Sequence, residues 1–215
     1  MVLIHGALRS RVGLAPIVWY FRRLGFDARA FGYDTRGGSL EEHGFALERF
    51  VSTWLDEGPV PVLGILTHSM GGLVARAYLA RQGAAAQSLR QRIVMLGPPN
   101  QGAWLAEHLR DVAPFRWLYG RAATELLPER VKTLAPPPHS ADVMIIAGGR
   151  GNERGYMRAI PGDNDGLVGV AETALPGISP VLVDGAHSVL QWRRDVLRRA
   201  ADFLRADRQG EQGEH

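Results

Sequence analysis

Short apolar runs alternate with longer amphipathic segments along most of the 215-residue chain. The short runs are typical of buried strands, and the longer segments carry apolar residues at the spacing of one helix face. The predicted strands cover residues 2–4, 27–33, 60–66, 92–96, 142–147 and 180–183. The predicted helices cover residues 11–24, 39–56, 73–82 and 187–205. Because strands joined through helices run parallel and are covered on both faces, the pattern predicts an α/β fold with a mostly parallel sheet.

Two segments depart from this alternation. Residues 101–140 are helical but irregular and end in a run of three prolines, so residues 103–140 are the place for a small cap. Residues 148–166 form a polar, glycine-rich loop. Each segment follows a predicted strand and therefore starts at the carboxyl edge of the sheet, where parallel sheets bind their ligands.

The size and composition are those of an ordinary globular domain. Hydrophobic residues make up 46% of the chain and charged residues 22%, and the length suffices for a well-buried core. We expect one domain over residues 1–206 and a polar tail at 207–215. No apolar stretch approaches the roughly 20 residues of a membrane span. Cysteine is absent, which excludes a disulfide framework and a thiolate nucleophile.

The net charge of +3 comes from arginines, because Lys132 is the only lysine. The arginines are scattered among acidic residues and do not alternate with aromatic residues, so the sequence does not indicate nucleic-acid binding. A cluster on the last predicted helix is typical of a solvated helix face. Its members are Arg193, Arg194, Arg198, Arg199 and Arg205. No signal peptide precedes the first strand, which favours a cytoplasmic location.

The segment Thr67-His68-Ser69-Met70-Gly71-Gly72 follows a predicted strand directly and precedes a predicted helix. A serine on a sharp strand-to-helix turn, flanked by small residues, can present a nucleophile above a parallel sheet. A side chain at position 71 would crowd the neighbouring strand and helix, which accounts for the glycine there. The helix also directs its free N–H groups towards a developing oxyanion. The segment therefore predicts Ser69 as a nucleophile.

A serine hydroxyl needs a general base within hydrogen-bond reach, and this base is most often a histidine held by a carboxylate. His187 lies in the loop after the last predicted strand, at the same edge of the sheet as Ser69. Five of the six other histidines lie in other motifs, in a helix, in a proline-rich loop or in the tail. They are His5, His68, His108, His139 and His215. We therefore predict His187 as the base.

Three aspartates could hold this histidine. Asp165 follows the fifth predicted strand and lies between Ser69 and His187 in the chain, so we predict Asp165. Asp163 is two residues away and Asp184 is close to His187, so both remain alternatives. The loop with Asp163 and Asp165 could also be a simple acidic turn or a calcium site.

An oxyanion hole needs two backbone N–H groups directed at the developing negative charge. One donor is expected from the residue after the nucleophile, which is Met70. The other is expected from the loop after the first strand, where Gly6 lets the backbone approach closely. This reasoning assigns the second N–H group to Ala7.

Together the motifs resemble serine lipases and esterases of the α/β-hydrolase superfamily. Within it, the chain is most similar to compact bacterial lipases and to GPI inositol-deacylase-like hydrolases. The resemblance runs from residue 2 to about residue 205 and rests on His5-Gly6 after the first strand, on the Ser69 segment and on a late Gly-x-His motif. It also includes Leu96-Gly-Pro-Pro-Asn-Gln-Gly102 and Asn164-Asp-Gly-Leu-Val168.

The resemblance implies an α/β-hydrolase fold in which Ser69 is the nucleophile. By the same likeness, Asp165 and His187 complete a catalytic triad, and Ala7 and Met70 give the oxyanion amides.

Three features depart from the usual pattern of this superfamily. Thr67 stands where the usual consensus has glycine. The chain begins on the strand before His5-Gly6, so we expect about six strands and not the leading strands of larger hydrolases. The region between the fourth and fifth predicted strands is of modest length, which argues against a large lid.

The possible cap supplies candidates for a substrate pocket. It carries large apolar and aromatic side chains beside the predicted nucleophile, and such a cluster suits an acyl group. The candidates are Trp104, Leu105, Phe115 and Trp117. Packing against the sheet as part of the core is the alternative for each of them. The sequence has no phosphate-binding loop and no metal-ligand spacing, so we expect no cofactor and no metal.

These observations favour a serine hydrolase that cleaves carboxylic esters, a lipase or esterase acting on a small-molecule or lipid-like ester. An amidase, a thioesterase or an acyltransferase would use the same three side chains. A catalytically silent fold that binds a ligand or a protein is a third hypothesis, although such proteins usually lack one of the three. Nothing in the sequence indicates an oligomeric state.

Overall fold

The computed structural model describes residues 1–58, 60–81 and 89–205. These residues form one sheet of six strands in the spatial order β2-β1-β3-β4-β5-β6, and all neighbouring strands pair in parallel. The strands are β1 (Val2–Ile4), β2 (Arg29–Phe31), β3 (Val62–His68), β4 (Arg90–Leu96), β5 (Ala141–Gly149) and β6 (Val181–Asp184). The predicted parallel α/β architecture with about six strands is confirmed.

Helices connect the strands and cover the sheet. They are α1 (Ala15–Arg23), α2 (Leu40–Leu55), α3 (Gly71–Arg81), α4 (Trp104–Leu109), α5 (Ala113–Tyr119), α6 (Ala122–Glu125), α7 (Pro128–Val131), α8 (Val170–Thr173) and α9 (Arg194–Arg205). Short 3₁₀ helices cover Arg11–Leu14 and His187–Trp192. Helices α4 to α7 occupy the irregular segment in which we expected a small cap.

The last helix differs from its prediction. We expected one continuous helix over residues 187–205, but a 3₁₀ helix precedes α9 and the backbone is extended at Arg193 between them. The Arg193 side chain donates to the carboxylate of Asp195 and to the main-chain carbonyl of Asp184, and these bonds hold the break. Apolar spacing does not reveal such a break, because both parts bury their apolar side chains.

Local signals in the sequence set several helix ends. Ser39 Oγ accepts the N–H of Glu42 at 3.2 Å, and Glu42 Oε2 accepts the N–H of Ser39 at 2.7 Å, which is the expected capping box at the start of α2. After α1, Gly25 has a φ of +85°. This left-handed conformation ends the helix, and glycine adopts it at less cost than other residues.

Some predicted features lie outside the described residues. They are Gln82, at the expected end of α3, and the polar tail at 207–215 with His215. Within the described ranges, α3 extends to Arg81 and α9 extends to Arg205. No helix in these ranges has both the length and the apolar character that crossing a membrane requires.

The core lies on both faces of the sheet, because successive side chains of a strand point to opposite faces. One face packs against α2 and α3 through Val2, Ile4, Ile65 and Ile93. The other face packs against α1 and α9 through Leu3, Leu66, Val94 and Ile146. Each buried side chain of this size stabilises the fold by roughly 1.5–3 kcal/mol.

The order of the strands reverses at β1, since β2 lies on one side of it and β3 on the other. Ile4 of β1 pairs with Thr67 of β3, so the chain segments that follow these two strands leave the sheet side by side. In open parallel sheets, ligands bind in the crevice outside the carboxyl ends of the strands at such a reversal. This crevice contains the Gly6 loop and Ser69.

Candidate active site

Ser69 occupies a strained turn between β3 and α3. Its φ is +54°, in the left-handed region that non-glycine residues enter at a cost of roughly 1–3 kcal/mol. The Ser69 N–H donates to the carbonyl of Leu96 at 2.8 Å, which fastens the turn to the end of β4. Strand β3 includes Thr67 and His68 and so ends two residues later than we predicted. The turn therefore follows the last residue of the strand without an intervening loop.

Two glycines make this turn sterically possible. A Cβ atom at Gly6 would lie 2.8 Å from the Cβ of Ser69. A Cβ atom at Gly71 would lie 2.8 Å from the carbonyl oxygens of Ile4 and His5. Both distances are shorter than real Cβ contacts, so a side chain at either position would push β1 and the serine turn apart.

His187 and Asp165 form a buried pair. The Nδ1 of His187 lies 2.6 Å from Asp165 Oδ2, and the two residues are 6% and 2% exposed. The main-chain N–H of His187 also donates to the carbonyl of Asp165 at 2.9 Å. Because an ionised carboxylate only accepts, Nδ1 carries the proton and the lone pair of the imidazole is on Nε2.

The other oxygen of Asp165 is fixed as well. Its Oδ1 accepts the N–H groups of Leu167 and Val168 at 3.0 and 2.8 Å. The carboxylate is therefore satisfied on both oxygens, and its direction towards His187 is set by the turn that follows it.

The two alternative aspartates have other partners. Asp163 accepts three main-chain N–H groups, from Arg150, Gly151 and Asn164, at 2.8 to 3.0 Å. Asp184 accepts the hydroxyl of Tyr156 at 2.7 Å. Among the described residues, no group of three or more histidine or acidic side chains is placed to hold a metal ion.

Asn164, Gly97 and Gly148 also shape the site, although our sequence reasoning assigned them no role. Asn164 is fully buried, and its side chain bonds Met157 and other main-chain groups of the long loop that carries Asp165. A Cβ atom at Gly97 would lie 3.1 Å from Asp165 Oδ2, and one at Gly148 would lie 2.8 Å from Asp165 Cβ. Their position in the sequence indicates such a role, because both glycines stand at or just after the end of a central strand.

His68 connects the serine turn to His187. Its Nε2 lies 2.9 Å from the carbonyl oxygen of His187, so Nε2 carries the proton. Its Nδ1 is buried and has no hydrogen-bond partner among the described residues. Complete burial, together with the neighbouring His187, lowers the pKa of His68 to about 3. His68 is therefore neutral at physiological pH. Because His68 belongs to the serine motif, it is not the predicted base, but its place next to Ser69 puts it in contact with that base, His187.

A cavity of about 330 Å³ opens at this edge of the sheet. Ser69, His68 and His187 line it together with side chains from residues 103–126 and from the segments that follow β1, β4, β5 and β6. The other lining residues are Ala7, Leu8, Arg9, Pro99, Ala103, Leu105, Ala106, Phe115, Tyr119, Leu126, Leu167, Val168 and Ser188. Most of these side chains are apolar, so the cavity suits a small apolar group next to the serine.

No protein-family model and no curated protein matches this sequence. Solved structures match its backbone. The mature form of the Bacillus licheniformis lipase BlEst2 is 17% identical with a TM-score of 0.66, over 86% of this chain and 83% of the lipase chain. The chain has the α/β-hydrolase fold. The present chain spans about half the length of the propeptide form of the same lipase, of which it covers 50%.

Two further structures share this α/β-hydrolase fold. The product of the Listeria innocua gene lin2722 is 14% identical with a TM-score of 0.65, over 98% of this chain and 95% of that one. A NocB thioesterase domain, solved as a covalent complex with a fluorophosphonate nocardicin G analogue, is 23% identical with a TM-score of 0.53, over 95% of this chain and 91% of that one. At these identities the likeness shows the fold.

The α/β-hydrolase fold brings only part of the expected pocket to the cavity. Leu105 and Phe115 line the cavity, whereas Trp104 and Trp117 are not among the described residues that line it. The Trp104 ring stacks on His108, whose ring centroid is 3.7 Å away. Trp117 is 74% exposed, and the guanidinium of Arg36 lies over its ring. Neither tryptophan, one in α4 and one in α5, is therefore among the described residues that line the cavity.

In this hydrolase fold, the expected oxyanion donors lie beside the serine. Met70 follows Ser69 directly, and Ala7 lines the same cavity. The next amide after Ala7 is engaged elsewhere, because the Leu8 N–H donates to Thr35 Oγ1 at 3.2 Å. No hydrogen bond joins Ser69 Oγ to His187 Nε2 within the described residues. In this class of site, such bonds often tighten only in the substrate complex.

The neutral, buried state of His68 predicts a pH-dependent stability. In the unfolded chain the pKa of a histidine is about 6.5, so between pH 6.5 and 3 the unfolded state binds more protons than the folded state. This contribution to stability is fully present above pH 6.5 and is lost as the pH falls. We expect the free energy of unfolding to drop by about 1 kcal/mol from this group alone between pH 7 and pH 5.5.

Urea unfolding of wild type and of His68→Gln at these two pH values checks this expectation. The variant should lose about 1 kcal/mol less than wild type over the interval. His108→Gln is the matched control, because it makes the same substitution at an exposed histidine. His5, His43 and the N-terminal amine also have pKa values lowered by burial and contribute to the dependence that remains. An unchanged pH dependence in His68→Gln would contradict the expectation.

Proposed function

We propose that this protein is a serine hydrolase that cleaves carboxylic esters through an acyl-serine intermediate. The observation that carries the proposal is the hydrogen bond of 2.6 Å between Asp165 and His187, because His187 lines the same mostly apolar cavity as Ser69. In this proposal Ser69 is the nucleophile, His187 is the general base and acid, and Asp165 holds the imidazole in the required tautomer.

Acylation uses the free lone pair of the imidazole. His187 Nε2 takes the hydroxyl proton of Ser69 as Oγ bonds to the carbonyl carbon of the ester. The carbonyl oxygen becomes an oxyanion that accepts hydrogen bonds from the N–H groups of Ala7 and Met70. When the tetrahedral adduct collapses, the bond to the leaving oxygen breaks and His187 gives its proton to that oxygen.

Deacylation repeats these steps with water. His187 removes a proton from a water molecule, the hydroxide bonds to the acyl carbon, and Ser69 Oγ leaves with the proton returned by His187. The products are the carboxylic acid and the free serine. The imidazolium that forms in each step is stabilised by the carboxylate of Asp165.

The size and lining of the cavity support a small-molecule or lipid-like ester with a short to medium acyl group. The volume of about 330 Å³ is near the lower limit for ligand pockets. Phe115 of α5 and Leu126 after α6 contribute its outer wall.

A thioester is the second candidate substrate for the same three side chains. The observation that favours it is the similarity to the NocB thioesterase domain, which carries its covalent adduct on the same fold. Parallel assays with an oxygen ester and a thioester of one acyl group, at matched concentrations, would rank the two substrate classes by kcat/KM.

The wall formed by Phe115 yields a prediction about acyl length. Wild type should hydrolyse p-nitrophenyl esters with a maximum of kcat/KM at a short to medium acyl chain. Phe115→Ala removes the aromatic ring from the cavity wall, so the maximum should move to longer acyl chains. Trp117→Ala is the matched control, because this aromatic residue lies on the same helix but outside the cavity. An identical chain-length profile in all three proteins would contradict this placement of the acyl group.

A further inference from the structure

The cavity contains one permanently charged side chain among its described lining residues, the guanidinium of Arg9. The other lining side chains are apolar, hydroxyl-bearing or imidazole groups. The carboxylate of Asp165 lies behind His187 and is satisfied by its own hydrogen bonds. An anion that enters the cavity therefore meets a cation and no exposed carboxylate in its lining.

The backbone around Arg9 is held in an unusual conformation. Leu8 has a φ of +57°, and among the described non-glycine residues only Leu8 and Ser69 have a φ in the left-handed region. The Leu8 N–H bonds the buried Thr35, and the Arg9 N–H donates to the carbonyl of Gly6 at 3.3 Å. Strained residues of this kind cluster at functional sites. Here the two hydrogen bonds hold Leu8, the residue before Arg9, in its strained conformation beside the cavity.

The charge of Arg9 is available to a ligand. Within the described residues no carboxylate lies within salt-bridge distance of its guanidinium, whereas Arg29, Arg92 and Arg130 are each paired with an acidic side chain. The pKa of His68 is lowered mainly by burial and by the neighbouring His187, and the positive charge of Arg9 lowers it further. The field of Arg9 therefore reaches the interior of the site.

The position of Arg9 indicates which part of a substrate it would contact. Arg9, Ser69, His187 and Ser188 follow the ends of β1, β3 and β6, whereas most of the apolar lining comes from residues 103–126 and from residues 167–168. An acyl group fits the apolar wall. The leaving group must receive its proton from His187 and so lies on the polar side, with Arg9 and Ser188.

We propose that Arg9 selects substrates whose leaving alcohol or thiol bears an anionic group, either a carboxylate or a phosphate. This inference rests on the proposed esterase function and names its substrate class. The guanidinium pairs with the anion through charge-assisted hydrogen bonds, which are stronger than neutral ones. Because Arg9 is exposed to solvent, we expect a preference of about fivefold, which corresponds to roughly 1 kcal/mol.

Two esters of nearly the same shape, one with an anionic and one with a neutral leaving group, test this inference. They are the butyrate esters of 3-hydroxybenzoate and of 3-hydroxybenzamide, and the readout is the ratio of their kcat/KM values. Wild type should prefer the benzoate ester about fivefold. The ratio should fall to about 1 in Arg9→Gln, return towards the wild-type value in Arg9→Lys, and shrink in wild type at high salt. Arg11→Gln is the matched control, since this exposed arginine lies outside the cavity lining.

The outcomes separate this inference from the proposed function. A wild type that hydrolyses both esters without preference, or a preference that survives in Arg9→Gln, overturns the role of Arg9 alone. A folded wild type that hydrolyses neither ester overturns the proposed function. A second arm compares phenyl hemisuccinate, which carries its charge on the acyl side, with the neutral phenyl butyrate. An Arg9-dependent preference in this arm only would overturn the assignment to the leaving group.

Discussion

Ser69→Ala is expected to lower kcat for ester hydrolysis by about four to six orders of magnitude, because the acyl-serine intermediate can no longer form. The fold should be retained. Alanine keeps the Cβ atom at a φ of +54°, so the strain of the turn is unchanged, and the bond from the residue 69 N–H to Leu96 is a main-chain bond. The residual rate should come from the oxyanion donors and from substrate binding.

The measurement is single-turnover and steady-state hydrolysis of the best p-nitrophenyl ester, with thermal unfolding recorded on the same samples. Ser188→Ala is the matched control, because this second serine also lines the cavity but has no assigned role in bond formation. Its kcat should stay within a few-fold of wild type. Labelling by a fluorophosphonate, read by mass spectrometry, should occur at Ser69 in wild type and in Ser188→Ala. Turnover that survives in Ser69→Ala would refute the assignment of the nucleophile.

The serine turn could be predicted from sequence because its constraints are local. A strand, a serine flanked by small residues and a helix follow each other within a few positions. The need for glycine at positions 6 and 71 is different in kind. Gly6 is crowded by Ser69 and Gly71 is crowded by Ile4 and His5, and only the pairing of β1 with β3 brings these segments together.

The choice among the aspartates could not be made from spacing alone. Asp163 and Asp165 lie in one loop, two residues apart, and both point into hydrogen-bonded turns. Which of them faces His187 depends on the buried side chain of Asn164, which bonds to main-chain groups up to seven residues away. A loop that is ordered by the side-chain amide of one residue shows no periodic pattern of apolar residues in the sequence.

The cap residues were predicted least accurately for a related reason. Helices α4 and α5 are only 6 and 7 residues long, so their apolar spacing does not define a buried face. Leu105 and Phe115 line the cavity, whereas Trp104 and Trp117 are not among its described lining residues. The orientation of α4 is set instead by Glu172 of α8, whose carboxylate accepts the N–H groups of Trp104 and Gly169.

Asp165→Asn is expected to lower kcat by about four orders of magnitude while the fold is retained. The amide oxygen can still accept the N–H groups of Leu167 and Val168. The amide nitrogen then faces His187 Nδ1 and donates to it, so Nδ1 becomes the acceptor and the proton moves to Nε2. An imidazole with a proton on Nε2 cannot take the proton of Ser69, and catalysis stops at the first step.

Asp163→Asn is the matched control for this variant and should behave in the opposite way. Its amide nitrogen would replace an oxygen that accepts the N–H of Gly151, and two donors would face each other. We expect a loss of stability of about 1–3 kcal/mol with kcat of the folded protein near wild type. Urea unfolding and kcat, measured on both variants under conditions where each is folded, distinguish the two roles. If Asp163→Asn loses turnover while Asp165→Asn keeps it, the carboxylate that holds His187 has been misassigned.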